Sequence, residues 1–573
     1  MKKILYLALF VLCTLLLVGC DDETKGRTFD LLLNDYTELR EKIVFEVTLK
    51  DPDKQLKKSD VKGVITKKGS KTILSTKTLS FDSNNYDEVS FTGLTAYSDY
   101  SVEFYTSFNG KKVSLLTGDY KTTNEGTIKN PYKIGSVDDF KKVRQERAGH
   151  FKLVGDINFE GKNISPLFQS AFTGTFDGSK EDGSGNYKIY NFTFGKIVDE
   201  KAEVKTYTHV ASRDQYYGFF GNIGEGAKIS NLELSGINIY VSRDTNRNSG
   251  TYANSIYYYG ILAGVCAGTI ENVKVTEYKN ENNEIIRSSL NVKSENTNLQ
   301  VLKVGGLVGN LKDNGVIKNV EVDVDINVES SKDVSVGGIA GTTRGAALLK
   351  ETVEGVTKDI PNISNATYTG SINVSINGND SYKGSGDDKE IAQPSIGGLV
   401  GKNVEAVVQD CSADAAIKVT SKFKENEGLS IFVGGLVGKN ISDKSLFNNC
   451  AATVSFDVET YDVPKENTEL NIYVGLFAGQ NGGDLGGYST ISNCTFTVKG
   501  ENVVKVIYIE NDSNVHCHFD KVGKAMVGSE LTNSTLVEGT ASISLTVSQY
   551  TKAEGSEEYT EVTAASETKS IER

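Results

Sequence analysis

The sequence predicts an all-β protein in which stacked parallel coils, a β-helix, follow a β-sandwich. Three observations carry this. First, the pattern apolar–x–Asn/Asp–apolar returns nine times. Its polar members are Asn191, Asn231, Asn272, Asn319, Asn365, Asp410, Asn449, Asn493 and Asn533, spaced 40, 41, 47, 46, 45, 39, 44 and 40 residues apart. A period of this length marks an array whose units bury their apolar faces only against neighbours. Second, Gly is abundant at 57 and Pro scarce at 6, which with the many Val, Ile and Thr residues favours strands joined by tight corners. Third, apolar residues before the repeats alternate with period two, as in Ile43–Phe45–Val47 and Tyr100–Val102–Phe104.

The amino terminus reads as a targeting segment, residues 1–19. Lys2 and Lys3 precede an apolar stretch from Ile4 to Val18, which ends in Leu17–Val18–Gly19–Cys20. This resembles the bacterial lipoprotein lipobox. The resemblance implies cleavage before Cys20 and attachment of Cys20 to a membrane through acyl chains. Loss of Lys2 and Lys3 takes the formal charge from −13 to −15, an acidic balance that argues against nucleic-acid partners. Residues 20–28 read as a polar tether.

Residues 29–123 contain about seven short alternating runs, separated by turn signals such as Asp51–Pro52–Asp53 and Asn109–Gly110, which predicts an immunoglobulin-like sandwich. Leu94–Thr–Ala–Tyr–Ser–Asp–Tyr100, with Tyr120–Lys–Thr–Thr123 closing the segment, resembles the second half of a fibronectin type III domain. That resemblance implies a corner role for the Tyr100 hydroxyl. The tryptophan usual in the first half is missing, since the chain has none. After a linker, Ser136 with Asp139 three residues on predicts a capped helix running to about Glu146, placed to cover the first open coil.

Residues 124–545 are assigned to the β-helix. In Ile317–Lys–Asn319–Val320–Glu–Val322–Asp–Val324, Ile317 and Val320 have opposite parity, so the residue between them has to break the alternation. Asn tolerates the left-handed backbone region and turns the corner within one residue. Stacked coils are then expected to align the nine Asn/Asp side chains as one ladder. Two coils per unit would give a rod of about 80–90 Å at about 4.8 Å per coil. Each unit's other half is glycine-rich, as in Val304–Gly–Gly–Leu–Val–Gly309 and Val433–Gly–Gly–Leu–Val–Gly438. No helix or Lys–Ser/Thr follows, and the string repeats, which excludes a phosphate loop. Together these halves resemble the GLUG motif of bacterial surface proteins, over about residues 126–540. The resemblance implies a right-handed parallel β-helix. Residues 546–573, rich in Glu, Thr and Ser, read as a disordered tail.

Chemistry is sparse. The chain has 4 histidines, too few for a defensible Ser/His/Asp set. His516–Cys517–His518 offers two convergent imidazoles on a strand, short of a zinc ligand set. GLUG repeats accompany a bacterial immunoglobulin A protease family, but its His–Glu–x–x–His zinc motif does not occur here. Asp323 and Asp325 share an outward face, where β-helix lyases and glycosidases carry acid–base groups. Cys411, Cys450 and Cys494 occupy one apolar slot and read as packed thiols. No catalytic residue, metal or cofactor is expected. The reading is a lipid-anchored, surface-exposed envelope protein that binds an extracellular glycan or a host or neighbouring protein in adhesion. A polysaccharide lyase or glycoside hydrolase, and a stalk without its own ligand, are the alternatives.

Overall fold

A computed structural model describes residues 26–195, 209–210, 216–243, 257–294, 302–312, 314–330, 334–345, 349–353, 356–377, 382–383, 389–390, 393–422, 428–442, 444–463, 469–482, 489–499, 503–509, 527–530, 534–537, 543–552, 559–561 and 567–571. Cys20, Asn533 and the His516–Cys517–His518 cluster lie outside the described residues. The chain divides into two units, one up to Gly126 and one from Thr127.

The first unit is a sandwich of seven strands: β1 (Asp30–Glu38), β2 (Lys42–Lys50), β3 (Lys62–Lys67), β4 (Ile73–Thr78), β5 (Tyr86–Thr92), β6 (Asp99–Phe108) and β7 (Lys111–Lys121). One sheet has the order β1-β2-β5 and the other β4-β3-β6-β7, with antiparallel pairing throughout. The fourth strand thus joins the third, whereas an immunoglobulin constant domain places it in the first sheet. Phe45 packs edge-on against Phe91, Phe104 and Tyr120 between the sheets. On β3, Gly63 leaves room for them, since a Cβ there would meet the Phe104 ring at 2.7 Å. The Tyr100 hydroxyl accepts from the Thr95 N–H at 2.7 Å and pins the β5–β6 corner. Residues 26–28, read as the end of a tether, are tied to the sandwich instead. Gln55 accepts from the Thr28 N–H and donates to the Gly26 carbonyl.

The second unit is a parallel β-helix. One coil shows the plan: Leu302–Gly305 lies in a seven-stranded sheet, Val308–Leu311 in a nine-stranded sheet, and Val316–Ser330 in a large outer sheet. The next coil repeats this in parallel register, Val304 opposite Val336, Val308 opposite Ala340 and Ile317 opposite Ile363. Each sequence repeat therefore closes one coil, not two. The nine-stranded sheet then measures about 40 Å along the axis at about 4.8 Å per strand, half the length expected from the sequence. The residues that alternate inward, such as Val304, Val308, Ile317, Val322 and Ile326, are buried.

The amino-terminal end is closed by a 3₁₀ turn, Val137–Asp139, and a short α-helix, Phe140–Gln145. Phe140 sits within ring-contact distance of Phe159, Phe176 and Phe219 from the first coils. The capping differs from the reciprocal box expected. Ser136 caps no helix N–H, and its hydroxyl and the Gly135 N–H both donate to Asp139. At the other end, residues 546–573 are not uniformly a disordered tail. Strand Ile543–Lys552 pairs in parallel with Val503–Ile509, and Tyr559–Glu561 and Glu567–Ile571 fold back on it antiparallel. Ile543, Thr546 and Val547, all β-branched, favour a strand there despite the polar composition that suggested disorder.

Eight of the nine repeat Asn/Asp residues are described, and all have φ between +50° and +60°. They do not form one ladder. Asn231, Asn272, Asn319 and Asn365 stack continuously, each Nδ2 donating to the preceding Oδ1 at 2.8–3.1 Å, with Asp177 accepting from Asn231 at the foot. Asp410 has no amide N–H to pass on and receives Asn449, while Asn493 donates to Asn448. Asn191 lies on a different corner. Its strand pairs Tyr190 with Ser235 and Phe192 with Ile237, which sets Asn191 opposite Gly236, also at positive φ. The motif specifies a left-handed residue but not which of two corners it turns.

Asn319→Ala is expected to lose about 2 kcal/mol, combining left-handed backbone strain with two lost ladder bonds. Asn319→Gly should lose about 1 kcal/mol, because glycine keeps the corner. Equal losses in urea denaturation would refute the corner assignment. Tyr100→Phe should cost the sandwich about 1 kcal/mol, read as a lower melting transition for that unit.

Candidate functional site: a polar groove along the β-helix

The glycine-rich half of each repeat makes the seven- and nine-stranded sheets meet backbone to backbone. In the second strand one glycine is extra to the ladder: Ala263 pairs with Val308 and Val265 with Asn310, leaving Gly264 and Gly309 between them. A Cβ on Gly309 would lie 2.5 Å from the Tyr259 nitrogen, and one on Gly438 2.4 Å from the Ile396 nitrogen. Only glycine allows that approach. Val308 and Leu311 are both buried on either side of that glycine, so the inward–outward alternation also changes there.

Two columns of side chains consequently meet along a narrow groove between these sheets; most are buried, while Tyr216, Tyr258, Lys303, Lys402 and Tyr473 are half-buried. From the seven-stranded sheet come Tyr216, Tyr258, Lys303, Ser335, Ser395, Phe432 and Tyr473, in register from coil to coil. From the nine-stranded sheet come Asn310, Thr342, Lys402, Lys439 and Gln480. The columns face each other, since Lys439 Nζ lies 4.4 Å from the Phe432 ring centroid. Tyr216 stacks on Tyr258 at 5.6 Å and Phe432 on Tyr473 at 4.8 Å, one pair towards each end.

Behind the groove, the inward neighbours Thr343, Asn403, Asn440 and Asn481 form a second ladder that sequence reasoning missed. Asn403 donates to Asn440 at 2.9 Å and Asn440 to Asn481 at 2.8 Å, all three fully buried. The paired strings Lys402–Asn403, Lys439–Asn440 and Gln480–Asn481, each after a repeat glycine, were its signal. The outward column is not satisfied in this way. Asn310 Oδ1, Thr342 Oγ1, Gln480 Oε1 and, on the first strand of that sheet, Gln169 Oε1 have no hydrogen-bond partner among the described residues, and all four are sealed from solvent.

The groove also concentrates positive charge in an acidic protein. Lys303 is pushed down to about 8 by burial, reinforced by Lys402, Arg344 and Lys312. Among the described residues none of these four cations is ion-paired with a carboxylate. The large sheet's outer face is the opposite case. Lys188 pairs with Glu233, Glu271 sits between Lys228 and Lys318, and Lys418 pairs with Asp457. Asp323 and Asp325, the outward carboxylates noted in the sequence, are both held by Arg287, and Asp325 also accepts from the Ser371 N–H and hydroxyl. Among the described residues no group of three His, Cys, Asp or Glu comes together to hold a metal ion.

The tyrosine runs split by parity: Tyr217, Tyr257 and Tyr259 are buried while Tyr216 and Tyr258 face the groove. Cys411, Cys450 and Cys494 are buried free thiols in successive coils. The adjoining Cys411 thiol, then burial, raises Cys450, and the Cys450 thiol followed by burial raises Cys494, so neither is a nucleophile at neutral pH.

A family described as the GLUG motif matches residues 471–503. These residues span the last strand of the seven-stranded sheet, the nine-stranded-sheet strand Ala478–Asn481 and the corner at Asn493. An immunoglobulin A1 protease of Streptococcus pneumoniae (strain ATCC BAA-255 / R6) is 26% identical over 208 residues, 35% of this chain. The match spans 9% of that relative's length. Among solved structures, a family 28 exopolygalacturonase of Yersinia enterocolitica aligns over 92% of this chain and 99% of its own, at 8% identity and a TM-score of 0.15.

Because Lys303 titrates below its unfolded value of 10.5, the unfolded chain holds more protons between about pH 8 and 10.5, so stability rises with pH across that window. Below pH 8 the full penalty stands. Lys303→Met should therefore raise stability at pH 7 by roughly 1–3 kcal/mol and flatten the pH 8–10.5 slope. Thermal denaturation at pH 7 and pH 9.5 reads both effects, and a destabilised pH 7 variant would contradict them.

Proposed function

We propose that this chain is a lipid-anchored bacterial cell-surface protein whose β-helix binds an extracellular glycan, in adhesion. One observation carries the binding role: aromatic rings stacked in register, Tyr216 on Tyr258 and Phe432 on Tyr473, run across the coils beside four cations that have no carboxylate partner among the described residues. A stalk without its own ligand has no use for such a surface. Stacked rings suit the apolar faces of sugars, and repeated coils suit a repeating polymer.

The surface location is supported by the Leu17–Val18–Gly19–Cys20 string and by the GLUG match. A protease role does not carry over from the relative, because the match covers so little of it and His–Glu–x–x–His is absent. Arg287 holding Asp323 and Asp325 together favours binding over acid–base hydrolysis at those two carboxylates.

Two measurements test this reading. Metabolic palmitate labelling should mark the full chain and be lost in Cys20→Ala, which should leave the membrane fraction. Glycan-array binding by the purified chain should give micromolar affinity for at least one polymer without releasing new reducing or unsaturated ends. Release of such ends would establish an enzyme instead.

A further inference from the structure

Strand direction in the sandwich defines how it carries load. β1 starts at the pole where Asp30 pairs with Lys50, and β7 starts at the same pole, beyond the Phe108–Lys111 turn. The Phe29 and Phe108 rings, 4.9 Å apart, set these two starts side by side. Both strands end at the other pole, where Glu38 pairs with Ile43 and Lys121 with Asp99. β1 and β7 therefore run in the same direction, each at the edge of its own sheet. They are joined near their ends. Glu38 Oε1 accepts from the Lys121 N–H at 2.8 Å, the Leu39 carbonyl accepts from the Thr123 N–H at 3.2 Å, and the Tyr36 and Tyr120 rings lie 5.0 Å apart. Arg40 donates to the Asn124 carbonyl just beyond.

The chain enters β1 from the side of Cys20, where Gln55 holds Gly26 and Thr28, and leaves β7 towards the β-helix. A pull along the chain thus draws β1 lengthwise towards one pole and β7 lengthwise towards the other. The ladders β1–β2 and β6–β7 have their hydrogen bonds across that pull. Bonds loaded in this way share the force and must break together. Had entry and exit lain at one pole, the same ladders would open pair by pair. We infer that the sandwich is a force-bearing joint, a shear clamp of β1 against β7 that keeps the β-helix attached while a bound ligand is pulled. The inference goes beyond the function proposed above and takes from it only the source of the load, an anchor at Cys20 and a ligand held by the β-helix.

Single-molecule pulling on the chain from Cys20 to Arg573, without acyl chains, tests this. Cys20 is one attachment point, and Cys517→Ser removes a competing thiol; Cys266, Cys411, Cys450 and Cys494 are buried. The second attachment point is the exposed Lys129→Cys, past the end of β7, or the exposed Lys111→Cys, at the entry pole. Released length identifies the sandwich. Forced unfolding reports the unfolding barrier, and the Lys129 direction is expected to need about two-fold or more the force of the Lys111 direction at one pulling speed. Equal forces would overturn the inference. Tyr36→Ala combined with Glu38→Ala should lower the Lys129 force and spare the Lys111 force; an unchanged Lys129 force would also overturn the clamp. Neither force depends on acylation or on a ligand. Unequal forces in a chain whose Cys20 takes no palmitate would keep the clamp and remove the anchor reading, whereas equal forces with palmitate present would remove the clamp alone.

Discussion

A coil can close only where the backbone turns sharply without abandoning its hydrogen bonds, and this chain meets that constraint with residues at positive φ. Asn231, Asn272, Asn319 and Asn365 turn one corner in successive coils, and their amides pass hydrogen bonds along it. Everything inside follows from that alignment. With corners matched, Ile317 faces Ile363 and Val320 faces Ala366, so one apolar pattern stacks on the next. A shift by one residue would turn the whole set outward.

The second corner obeys a different rule. There the glycines remove side chains so that two sheets touch, and the groove exists because they do. Closing the coil and arranging its outer side chains thus come from the same short string. The inner ladder of Asn403, Asn440 and Asn481 keeps its polar groups satisfied in the interior, while in the adjacent column the oxygens of Asn310, Thr342 and Gln480 find no partner among the described residues. Neighbouring residues of one strand thus differ in how fully their polar groups are satisfied.

Much of this architecture was legible in the sequence, because parity changes leave a local trace. The break between Ile317 and Val320 located a corner, and the alternation at Tyr100–Val102–Phe104 located a sandwich strand. What failed was long-range. Asn191 carries the same local signature as Asn231 but pairs opposite Gly236, a relation set by how far strands overlap between coils. One coil per repeat, in place of two, has the same origin. The groove was hidden for a related reason: Lys303 and Lys402 lie far apart in sequence and come near only through the stacking register. Phe432 and Lys439 were closer at hand, yet the change of alternation at the glycine between them conceals that they meet.

Since a single repeat completes a single turn, the molecule is modular at the level of its gene. Duplicating or deleting one unit adds or removes a layer while its neighbours keep their partners. The side-chain columns would then lengthen or shorten by one layer, like a ruler gaining or losing a division. Unequal recombination alone would suffice for this, with no new side-chain chemistry.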